Sequence, residues 1–398
     1  MRLPRDFVFG TATASTQIEG GCTTSDWWAF AHTKGRVANG DTPDVACDHW
    51  NRVREDIALQ TRLNARGYRM SVEWARIEPQ EGHFDELAIE RYRDETKLLR
   101  AAGIEPMVTL HHFSFPSWLA NRGGATARDF PERFARFAKH VVRALERDVS
   151  LWITINEPNV LVAQGYLLGL WPPGLRGDLR GVAKAVAGLR RAHVAAYHVI
   201  HHVQPRANVG LAHHVRIATP ATESLADRLA ARALDATFNK PFLDLPQDYV
   251  GVNYYSRDVV RFAKNKPGEL FAERTVPEGA ETNDLGWEIF PEGLGVVLRM
   301  VAKKKLPIWI TENGIADATD AKRPRFIVDH LREIARAIGE GIDVRGYMHW
   351  ALMDNFEWAE GYAPRFGLYA VDYATQTRTL RKSGELYADI AARGEIPT

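Results

Sequence analysis

Short runs of β-branched and aromatic residues alternate along the chain with longer amphipathic stretches. The short runs have the length and composition of buried strands, and the longer stretches have the apolar spacing of helices. The predicted strands are Phe7–Thr13, Tyr68–Trp74, Ile104–His111, Val149–Ile155, Ala207–His213, Tyr249–Tyr255, Leu306–Thr311 and Val344–Trp350. The predicted helices are Asn51–Arg66, Glu86–Ala102, Glu132–Glu146, Leu179–Val203, Leu225–Asn239, Gly293–Ala302, Arg325–Gly339 and Ser383–Ala392. Strands and helices that alternate in this way indicate an α/β fold, a single closed (β/α)8 TIM barrel over residues 1–398.

A doubly wound open sheet is the competing architecture. It favours a glycine-rich phosphate-binding loop after an early strand, but Gly10-Thr11-Ala12 does not supply one, and no GxGxxG or Walker-type sequence occurs elsewhere. A barrel predicts instead that catalytic side chains lie at the carboxyl ends of several strands. Polar or aromatic residues do occur in or just after the predicted strands: Gln17, Glu73, His112, Glu157, Asn253, Tyr255, Glu312 and Trp350. The fifth strand is followed by His213 and His214, which we expect to line the pocket or to belong to the core.

Two glutamates stand out because each comes just after a strongly apolar run. Glu157 follows Leu151–Ile155, and Glu312 follows Leu306–Ile310. A carboxylate at the end of a buried strand is costly unless it is paired or used, and glycoside hydrolysis requires two such groups. The alternative is that each glutamate pairs with an arginine or a helix terminus. Carboxyl groups about 5–5.5 Å apart give a retaining reaction and groups about 6.5–9.5 Å apart an inverting one, and the sequence does not measure that gap.

Composition and charge narrow the classes of function. Hydrophobic residues make up 45% and charged residues 25% of the chain, as in soluble globular proteins. The net charge of +1 gives no electrostatic reason to expect nucleic acid or an acidic membrane as a partner, and no apolar run is long enough to span a bilayer. The two cysteines imply no disulfide framework, and no apolar signal segment precedes Phe7–Gly10. We therefore expect a cytoplasmic protein.

The aromatic and histidine residues add two observations. Eleven tryptophans, several of them beside polar residues, suit a sugar-binding cleft, although most tryptophans belong to cores. His198 and His202 are spaced as i and i+4 on a predicted helix, which is a spacing that can bind a metal, but no HExxH sequence is present. We expect neither a metal nor a cofactor.

Five motifs occur in order along nearly the whole chain. They are Phe7–Gly20, Tyr68–Ile77, Asn156-Glu157-Pro158, Thr311-Glu312-Asn313-Gly314, and Asp354–Tyr362 followed by Arg365-Phe366-Gly367. With these motifs the chain resembles glycoside hydrolase family 1, the retaining β-glycosidases of β-glucosidase type. The resemblance implies a (β/α)8 barrel and a β-glycosidase that works by double displacement through a covalent glycosyl-enzyme intermediate.

The resemblance also implies a role for each residue of the site. Glu157 is expected to be the general acid/base and Glu312 the nucleophile, with Arg69 beside the nucleophile. Because the acid has to be protonated and the nucleophile ionised at neutral pH, we expect a poorly solvated Glu157 and a cation near Glu312. The peptide bond after Trp350 is expected to be cis. The residues expected to bind or surround the sugar are Gln17, His112, Asn156, Asn253, Tyr255, Trp350, Glu357, Trp358 and Phe366.

Glu357 and three departures from the family pattern bear on the substrate. Because a carboxylate at Glu357 repels a phosphate, we expect unphosphorylated sugars: β-glucosides, with β-galactosides or β-fucosides as further candidates. Phe113 stands where the family commonly has tryptophan, so one donor to the sugar is expected to be missing, and Glu73 replaces a more usual small or apolar residue. The stretch Phe238–Leu245 leads almost directly to Asp248–Asn253, where the family usually has a longer insert. We expect a reduced wall beyond the first sugar.

Two classes of function follow. The favoured hypothesis is an exo-β-glycosidase whose partner is a small-molecule β-glycoside or oligosaccharide. The other is a non-catalytic sugar-binding barrel, which the loss of either glutamate would indicate, and both glutamates are present. The sequence is also compatible with an enzyme that mainly transglycosylates, and with an oligomer.

Overall fold

The computed structural model describes residues 1–266, 269 and 271–397, and its strands and helices alternate as a barrel requires. The strands are β1 (Val8–Ala12), β2 (Gly67–Ser71), β3 (Glu105–His111), β4 (Leu151–Asn156), β5 (Asn208–His214), β6 (Ala218–Pro220), β7 (Tyr249–Asn253), β8 (Asp258–Phe262), β9 (Ala272–Thr275), β10 (Ile308–Asn313), β11 (Val344–Trp350), β12 (Tyr369–Asp372) and β13 (Thr377–Leu380). The helices are α1 (Ser15–Ile18), α2 (Asp26–Ala31), α3 (His49–Arg62), α4 (Trp74–Ile77), α5 (Glu86–Ala101), α6 (Ser117–Ala120), α7 (Phe130–Leu145), α8 (Pro158–Val162), α9 (Leu179–Val203), α10 (Leu225–Phe238), α11 (Lys240–Leu243), α12 (Pro291–Val301), α13 (Arg323–Gly339) and α14 (Lys382–Arg393).

Eight strands close into a parallel barrel in the order β1, β2, β3, β4, β5, β7, β10, β11 and back to β1. Each predicted strand corresponds to one barrel strand, and each predicted helix is present with its ends moved by a few residues. The predicted TIM-barrel fold is therefore confirmed. Because all neighbouring barrel strands run parallel, their carboxyl ends lie at one end of the barrel. That residues 1–398 form one domain stays a prediction.

The outer helices contact the barrel strands and the connections that follow them. In α7, the rings of Phe134 and Phe137 lie 5.6 and 4.8 Å from the ring of Trp74, measured between centroids. In α14, the Tyr387 hydroxyl donates a 2.6 Å hydrogen bond to the Gly10 carbonyl oxygen of β1, which ties the last helix to the first strand.

None of the helices in the described part of the chain combines the length and the apolar character that a bilayer crossing requires.

Two small sheets lie outside the barrel and have no counterpart among the predicted elements. Strands β6, β8 and β9 form one of them, with α10 packed beside it, and β12 and β13 form an antiparallel hairpin. Their strands are three to five residues long and partly exposed. They lack the apolar runs that identify the barrel strands.

The prediction for the second strand, Tyr68–Trp74, was wrong at its end. Strand β2 stops at Ser71 and Trp74 begins α4, so Glu73 lies in the connection and not in the strand. The residues on either side of Glu73 are apolar and continue the strand pattern in sequence. Glu73 acts instead as the N-cap of α4, because its Oε1 accepts a hydrogen bond from the Ala75 N–H at 3.3 Å.

The same carboxylate joins three connections at the catalytic end of the barrel. Glu73 is buried and accepts hydrogen bonds from the hydroxyls of Ser15, Thr16 and Ser114 at 3.2, 2.7 and 3.0 Å. These residues follow β1 and β3, whereas Glu73 follows β2. The unusual glutamate thus has a structural reason: it holds three neighbouring connections together.

We expect Glu73→Leu to lower the free energy of unfolding by about 3 kcal/mol, because buried hydroxyl groups and a helix N–H lose their acceptor. Unfolding in urea, followed by tryptophan fluorescence, measures the change. The matched control is Glu223→Leu on the exposed surface, for which a change within about 0.5 kcal/mol is expected. Equal losses in the two variants would contradict the joining role of Glu73.

Candidate active site

A cavity of about 180 Å³ opens at the carboxyl ends of the barrel strands. The predicted site residues that line it are His112, Glu157, Tyr255, Glu312, Trp350, Glu357, Trp358 and Phe366. The other predicted site residues lie directly behind this lining and hydrogen-bond to it: Gln17, Arg69, Asn156 and Asn253. A larger open depression of about 570 Å³ lies at the opposite end, beside Phe9 and Arg66. Because barrel enzymes carry their chemistry at the carboxyl ends of the strands, the smaller cavity is the candidate site.

Glu312, near the end of β10, is held by a buried cation. Its carboxylate accepts hydrogen bonds from the Arg69 guanidinium and from the Tyr255 hydroxyl, the latter at 2.6 Å. Arg69 is itself fully buried and also donates to the Thr311 carbonyl oxygen at 3.1 Å. Burial raises the pKa of Glu312 to about 7, with Arg69 opposing this rise and the charge of Glu157 adding to it.

Glu157, the first residue after β4, has a left-handed backbone with φ of +39°. Such a conformation is strained for a residue other than glycine and persists only where the surroundings hold it; here the Glu157 N–H donates to the Ala212 carbonyl oxygen at 2.8 Å. Its Oε1 accepts hydrogen bonds from His214 Nδ1 at 2.9 Å and from Asn253 Nδ2 at 2.8 Å. Burial acts to raise the pKa of Glu157, whereas the contact with His214, the Asn253 hydrogen bond and the charge of Arg69 act to lower it.

The two carboxyl groups titrate as a pair. The donors around Glu157 favour its ionised form, whereas burial disfavours the charge on Glu312. The free protein therefore differs from the expected arrangement, a protonated Glu157 beside an ionised Glu312. Below about pH 7 the pair holds one proton, and above it both groups are ionised. An acid at Glu157 requires that this single proton lie on Glu157 and not on Glu312.

Gln17 and Glu357 form a second polar corner of the cavity. Gln17 Nε2 donates to Asn355 Oδ1 at 2.8 Å, to the Phe356 carbonyl oxygen at 2.9 Å and to Glu357 Oε2 at 3.2 Å. Gln17 Oε1 is buried and has no hydrogen-bond partner within the described residues. Burial, with the charges of Glu312 and Glu157 nearby, raises the pKa of Glu357 to about 8. This corner offers a carboxyl group and an amide oxygen to the hydroxyls of a ligand.

Hydrogen bonds set the orientation of Asn156 and the tautomer of His112. Asn156 Oδ1 accepts from Arg69 at 2.6 Å and from Asn253 Nδ2 at 3.1 Å, so its Nδ2 is the atom that donates to His112 Nε2 at 3.0 Å. The proton of His112 then lies on Nδ1, which is buried and unpaired in the part of the chain that the structure describes. Burial, with a smaller effect of Arg69, holds the pKa of His112 well below its usual value, so the ring is a neutral donor.

Aromatic rings form the walls of the cavity. The His112 ring lies between Trp350 and Trp358, with centroid distances of 6.1 and 5.9 Å and interplanar angles of 20° and 17°. Phe366 packs edge-on against Tyr255 at 6.3 Å. The peptide bond after Trp350 is cis, as the resemblance implies. Flat apolar faces beside a few convergent polar groups suit a sugar ring.

Comparisons with known proteins identify the family of the chain. The family model described as glycosyl hydrolase family 1 matches residues 1–246 and 237–396. The chain belongs to glycosyl hydrolase family 1. Beta-glucosidase A of Thermotoga maritima is 35% identical over 439 residues, which cover 98% of this chain and 97% of that protein. Beta-glucosidase A of Acetivibrio thermocellus is 32% identical over 437 residues, which cover 97% of each.

Solved structures superpose on the family 1 chain over its full length. The beta-glycosidase from Pyrococcus horikoshii gives a TM-score of 0.94 at 38% identity and covers 100% of this chain and 96% of that chain. The beta-glucosidase from Thermotoga maritima in complex with glucoimidazole gives 0.94 at 34% identity and covers 100% of both chains. The resemblance drawn from the motifs is confirmed, and the family 1 protein is an enzyme, a β-glycosidase.

The shortened region lies where the two matched segments overlap, at residues 237–246. In this family 1 chain, α10 is followed at once by the four-residue α11, which leads into β7. Phe238, the last residue of α10, packs edge-on against His214 of the cavity at 5.9 Å. The reduced wall beyond the first sugar stays a prediction.

Several cavity residues of the family 1 chain carry no role in the sequence analysis. The two histidines at the end of the fifth predicted strand were expected to line the pocket or to belong to the core, and one does each. His214 lines the cavity, whereas His213 is buried away from it, with its Nε2 3.1 Å from Gln247 Oε1. This is the alternation of side chains along β5, and the position of His214 at a strand end is a signal that favoured it. Arg216, Trp171 and Trp287 also line the cavity but lie in connections between strands. Connections carry no periodic pattern of apolar residues, so nothing in the sequence indicated that these three residues line the cavity.

Phe113, which stands in place of a tryptophan, belongs to an aromatic cluster. Its ring lies 4.8 Å from Trp171 and 5.2 Å from Trp358. A phenyl ring supplies the packing of an indole but not its N–H.

No candidate metal site is found among residues 1–266, 269 and 271–397: no group of three or more histidine, cysteine, aspartate or glutamate side chains is placed to hold an ion.

Replacing Arg69 by methionine leaves the buried carboxyl group of Glu312 without its counter-charge. At pH 8 we expect the free energy of unfolding to fall by about 3–5 kcal/mol. Because the raised pKa of Glu312 rises further in this variant, the loss grows as pH rises and shrinks at pH 5, where the group is protonated in both folded proteins. Urea unfolding at the two pH values measures the difference. Arg69→Lys, which keeps a charge, is the control with the smaller loss, and a loss independent of pH would contradict the ion pair as its source.

Proposed function

We propose that the family 1 enzyme is a retaining exo-β-glycosidase that hydrolyses β-linked neutral glycosides by double displacement. β-Glucosides are the proposed principal substrates, and β-galactosides and β-fucosides are further candidates. The observation that carries the proposal is the convergence of Glu157 and Glu312, from β4 and β10, on one cavity at the carboxyl ends of the strands. The different partners of the two carboxylates suit two different roles.

In the first step, an oxygen of Glu312 attacks the anomeric carbon and the bond from that carbon to the leaving oxygen breaks. Glu157 gives its proton to the leaving oxygen, so no free alkoxide is formed. In the second step, ionised Glu157 takes a proton from water, the water oxygen attacks the anomeric carbon, and Glu312 is released as a carboxylate. Two inversions give net retention. Arg69 and Tyr255 stabilise the charge on Glu312 whenever the sugar is not bonded to it.

The proposed preference for neutral sugars rests on Glu357. This group lies half-buried beside Gln17, in a cavity that also holds Glu157 and Glu312. Below the raised pKa of Glu357 a sugar phosphate meets the charge held by Glu157 and Glu312, and above it a third carboxylate, whereas sugar hydroxyls find hydrogen-bonding partners in either case. The structures of the Thermotoga maritima relative include complexes with glucoimidazole and with galacto-hydroximolactam. These two ligands support glucosides and galactosides as the sugars to test.

The proposal includes a cytoplasmic location and a small-molecule glycoside or oligosaccharide as the partner. Cys22 and Cys47 are both free thiols, which suits a reducing compartment. Transfer of the sugar to an alcohol in place of water uses the same two glutamates, because only the acceptor of the second step changes.

Trapping with 2-deoxy-2-fluoro-β-glucoside tests the covalent step. We expect one equivalent of sugar bound to the enzyme, and peptide mass mapping is expected to place it on Glu312. Glu312→Gln is the control and should form no adduct, because an amide is not a nucleophile at this carbon. The corresponding galactoside and fucoside reagents rank the sugars by their rates. An adduct on another residue would overturn the assignment of Glu312.

Anomer-resolved NMR of the first product tests retention independently of trapping. With an aryl β-glucoside, the β-anomer of glucose should form first and then mutarotate. If α-glucose is the first product, the reaction inverts and the double displacement is wrong.

The shared proton of the two carboxyl groups predicts a pH profile. Below about pH 7 the pair holds the proton that Glu157 must deliver, and above it the proton is lost. We therefore expect kcat/KM for phenyl β-glucoside to fall about tenfold per pH unit above pH 7. Because Glu357 also has a raised pKa, Glu357→Gln is the control, and the alkaline fall should persist in it. Initial rates from pH 5 to pH 9 measure the profile, and a flat profile up to pH 9 would contradict the shared proton.

A further inference from the structure

A chain of polar contacts leads from Glu157 to the small sheet β6–β8–β9. His214 Nδ1 lies 2.9 Å from Glu157 Oε1, and His214 Nε2 lies 2.8 Å from Arg216 Nε. Arg216 Nη1 donates to Asp258 Oδ1 at 2.9 Å, and Arg274 Nε lies 3.5 Å from Asp258 Oδ2. The proposed reaction uses only Glu157 among these groups, so the contacts behind it call for their own explanation.

Arg216 determines which nitrogen of His214 carries the proton. An arginine Nε keeps its hydrogen at every accessible pH and can only donate. His214 Nε2 must therefore accept, and the imidazole proton lies on Nδ1, from which it is donated to Glu157 Oε1. The ring is neutral in this arrangement. It cannot take up a second proton unless the contact with Arg216 breaks.

Packing holds both side chains in this arrangement. The His214 ring stacks on Tyr255 at 5.8 Å with an interplanar angle of 21°, and its other neighbour is the edge of Phe238 at 5.9 Å. Arg216 is anchored by its ion pair with Asp258. A ring held between two aromatic side chains has little freedom to flip and exchange its nitrogens.

We propose that His214, locked in its Nδ1–H tautomer by Arg216, is a positioning residue for the acid/base Glu157. With Asn253 it occupies Oε1 of Glu157, so Oε2 is left to exchange the proton with the substrate. Within the described residues, Oε2 receives no hydrogen bond. The lock also keeps a titrating cation away from Glu157, because a neutral ring cannot form an ion pair with it. This inference rests on the proposed function, since it needs Glu157 to act as acid and then as base.

Other charged and titratable groups face this pair from the surrounding elements, and their effect on any pH profile has to be held constant. They are Arg69 from β2, His112 after β3, Tyr255 after β7, Asp258 from β8, Arg274 from β9, Glu312 from β10 and Glu357 after β11. Variants at His214 and Arg216 leave all of them in place.

The first test compares His214→Leu with His214→Asn. Leucine removes the donor to Oε1, whereas the asparagine amide nitrogen occupies nearly the position of Nδ1 and can still donate. With phenyl β-glucoside, which needs the acid, His214→Leu should lower kcat/KM ten- to hundredfold because Oε2 is no longer held toward the substrate, while the loss of the donor moves the alkaline limb up by about one pH unit. With 2,4-dinitrophenyl β-glucoside, which leaves without a proton, kcat/KM should change less than about threefold. Compared with His214→Leu, His214→Asn should restore kcat/KM for phenyl β-glucoside and return the alkaline limb to the pH that it has in the unaltered enzyme.

The second test removes the lock with Arg216→Met. Once Nε2 loses its donor, its lone pair is free to accept a proton. The resulting imidazolium pairs with the Glu157 carboxylate and disfavours its protonation, so kcat/KM for phenyl β-glucoside should acquire an acidic limb that the unaltered enzyme lacks. The double variant His214→Asn with Arg216→Met has no imidazole at this position. It should lack the new limb and is the matched control.

The outcomes separate this inference from the proposed function. If the unaltered enzyme shows no turnover of any β-glycoside, the proposed function fails. If it turns over and Arg216→Met keeps its pH profile, the lock is wrong. If His214→Leu loses activity equally on both leaving groups with an unmoved alkaline limb, His214 is merely structural and the positioning role is wrong. Should His214→Leu fail to fold, as judged by circular dichroism, the two Arg216 variants still decide the matter.

Discussion

The guanidinium of Arg69 is the interaction on which the rest of the site depends. It is fully buried at the end of the barrel lumen and binds Glu312, the Thr311 carbonyl oxygen and Asn156 Oδ1. An unpaired charge in such a place costs several kcal/mol, and so does an unpaired carboxylate. Each group is tolerated because the other is present. The contact also joins β2 to β10 across the lumen, so the site forms only once the barrel strands have assembled.

From Arg69 the polar contacts continue in one connected set. Asn156 is oriented by Arg69 and Asn253, and it in turn sets the tautomer of His112. Asn253 also reaches Glu157. Because each amide has one oxygen and one NH2 group, fixing one end of each side chain determines what its other end can offer. The donors and acceptors left over within the described residues are those that a sugar can use.

Much of this could be predicted from the sequence, and the reasons differ between parts. The barrel strands were predictable because their apolar runs are continuous, and Glu157 and Glu312 because a carboxylate after such a run is unusual. Glu73 was misplaced because Val72 and Trp74 prolong the apolar pattern beyond the true end of β2. The short strands β6, β8 and β9 gave no pattern. Individual roles at the cavity came from the family resemblance and not from periodicity.

What the sequence could not provide is the state of the protons. A glutamate in a motif has the same letters whether its carboxyl group is ionised or not. The partners of Glu157 and Glu312 come from β2, β5 and β7 and are distant in the chain. The structure places Arg69 beside Glu312 as expected, but burial raises the pKa of Glu312 and hydrogen-bond donors surround Glu157, so the proton is distributed differently from the simple expectation. His214 and Arg216 are only two residues apart, but their relation to Glu157 exists only after the strands have assembled.

The pairing of β1 with β11 has a consequence for how the nascent chain matures on the ribosome. Strand β11 is made about 330 residues after β1, and Tyr387, which hydrogen-bonds to Gly10, is made later still. During that interval one edge of β1 has no strand to pair with, and an unpaired edge invites contact with other chains. The first barrel strand acquires its second neighbour only after the last barrel strand has been made, so its edge needs protection over that whole interval.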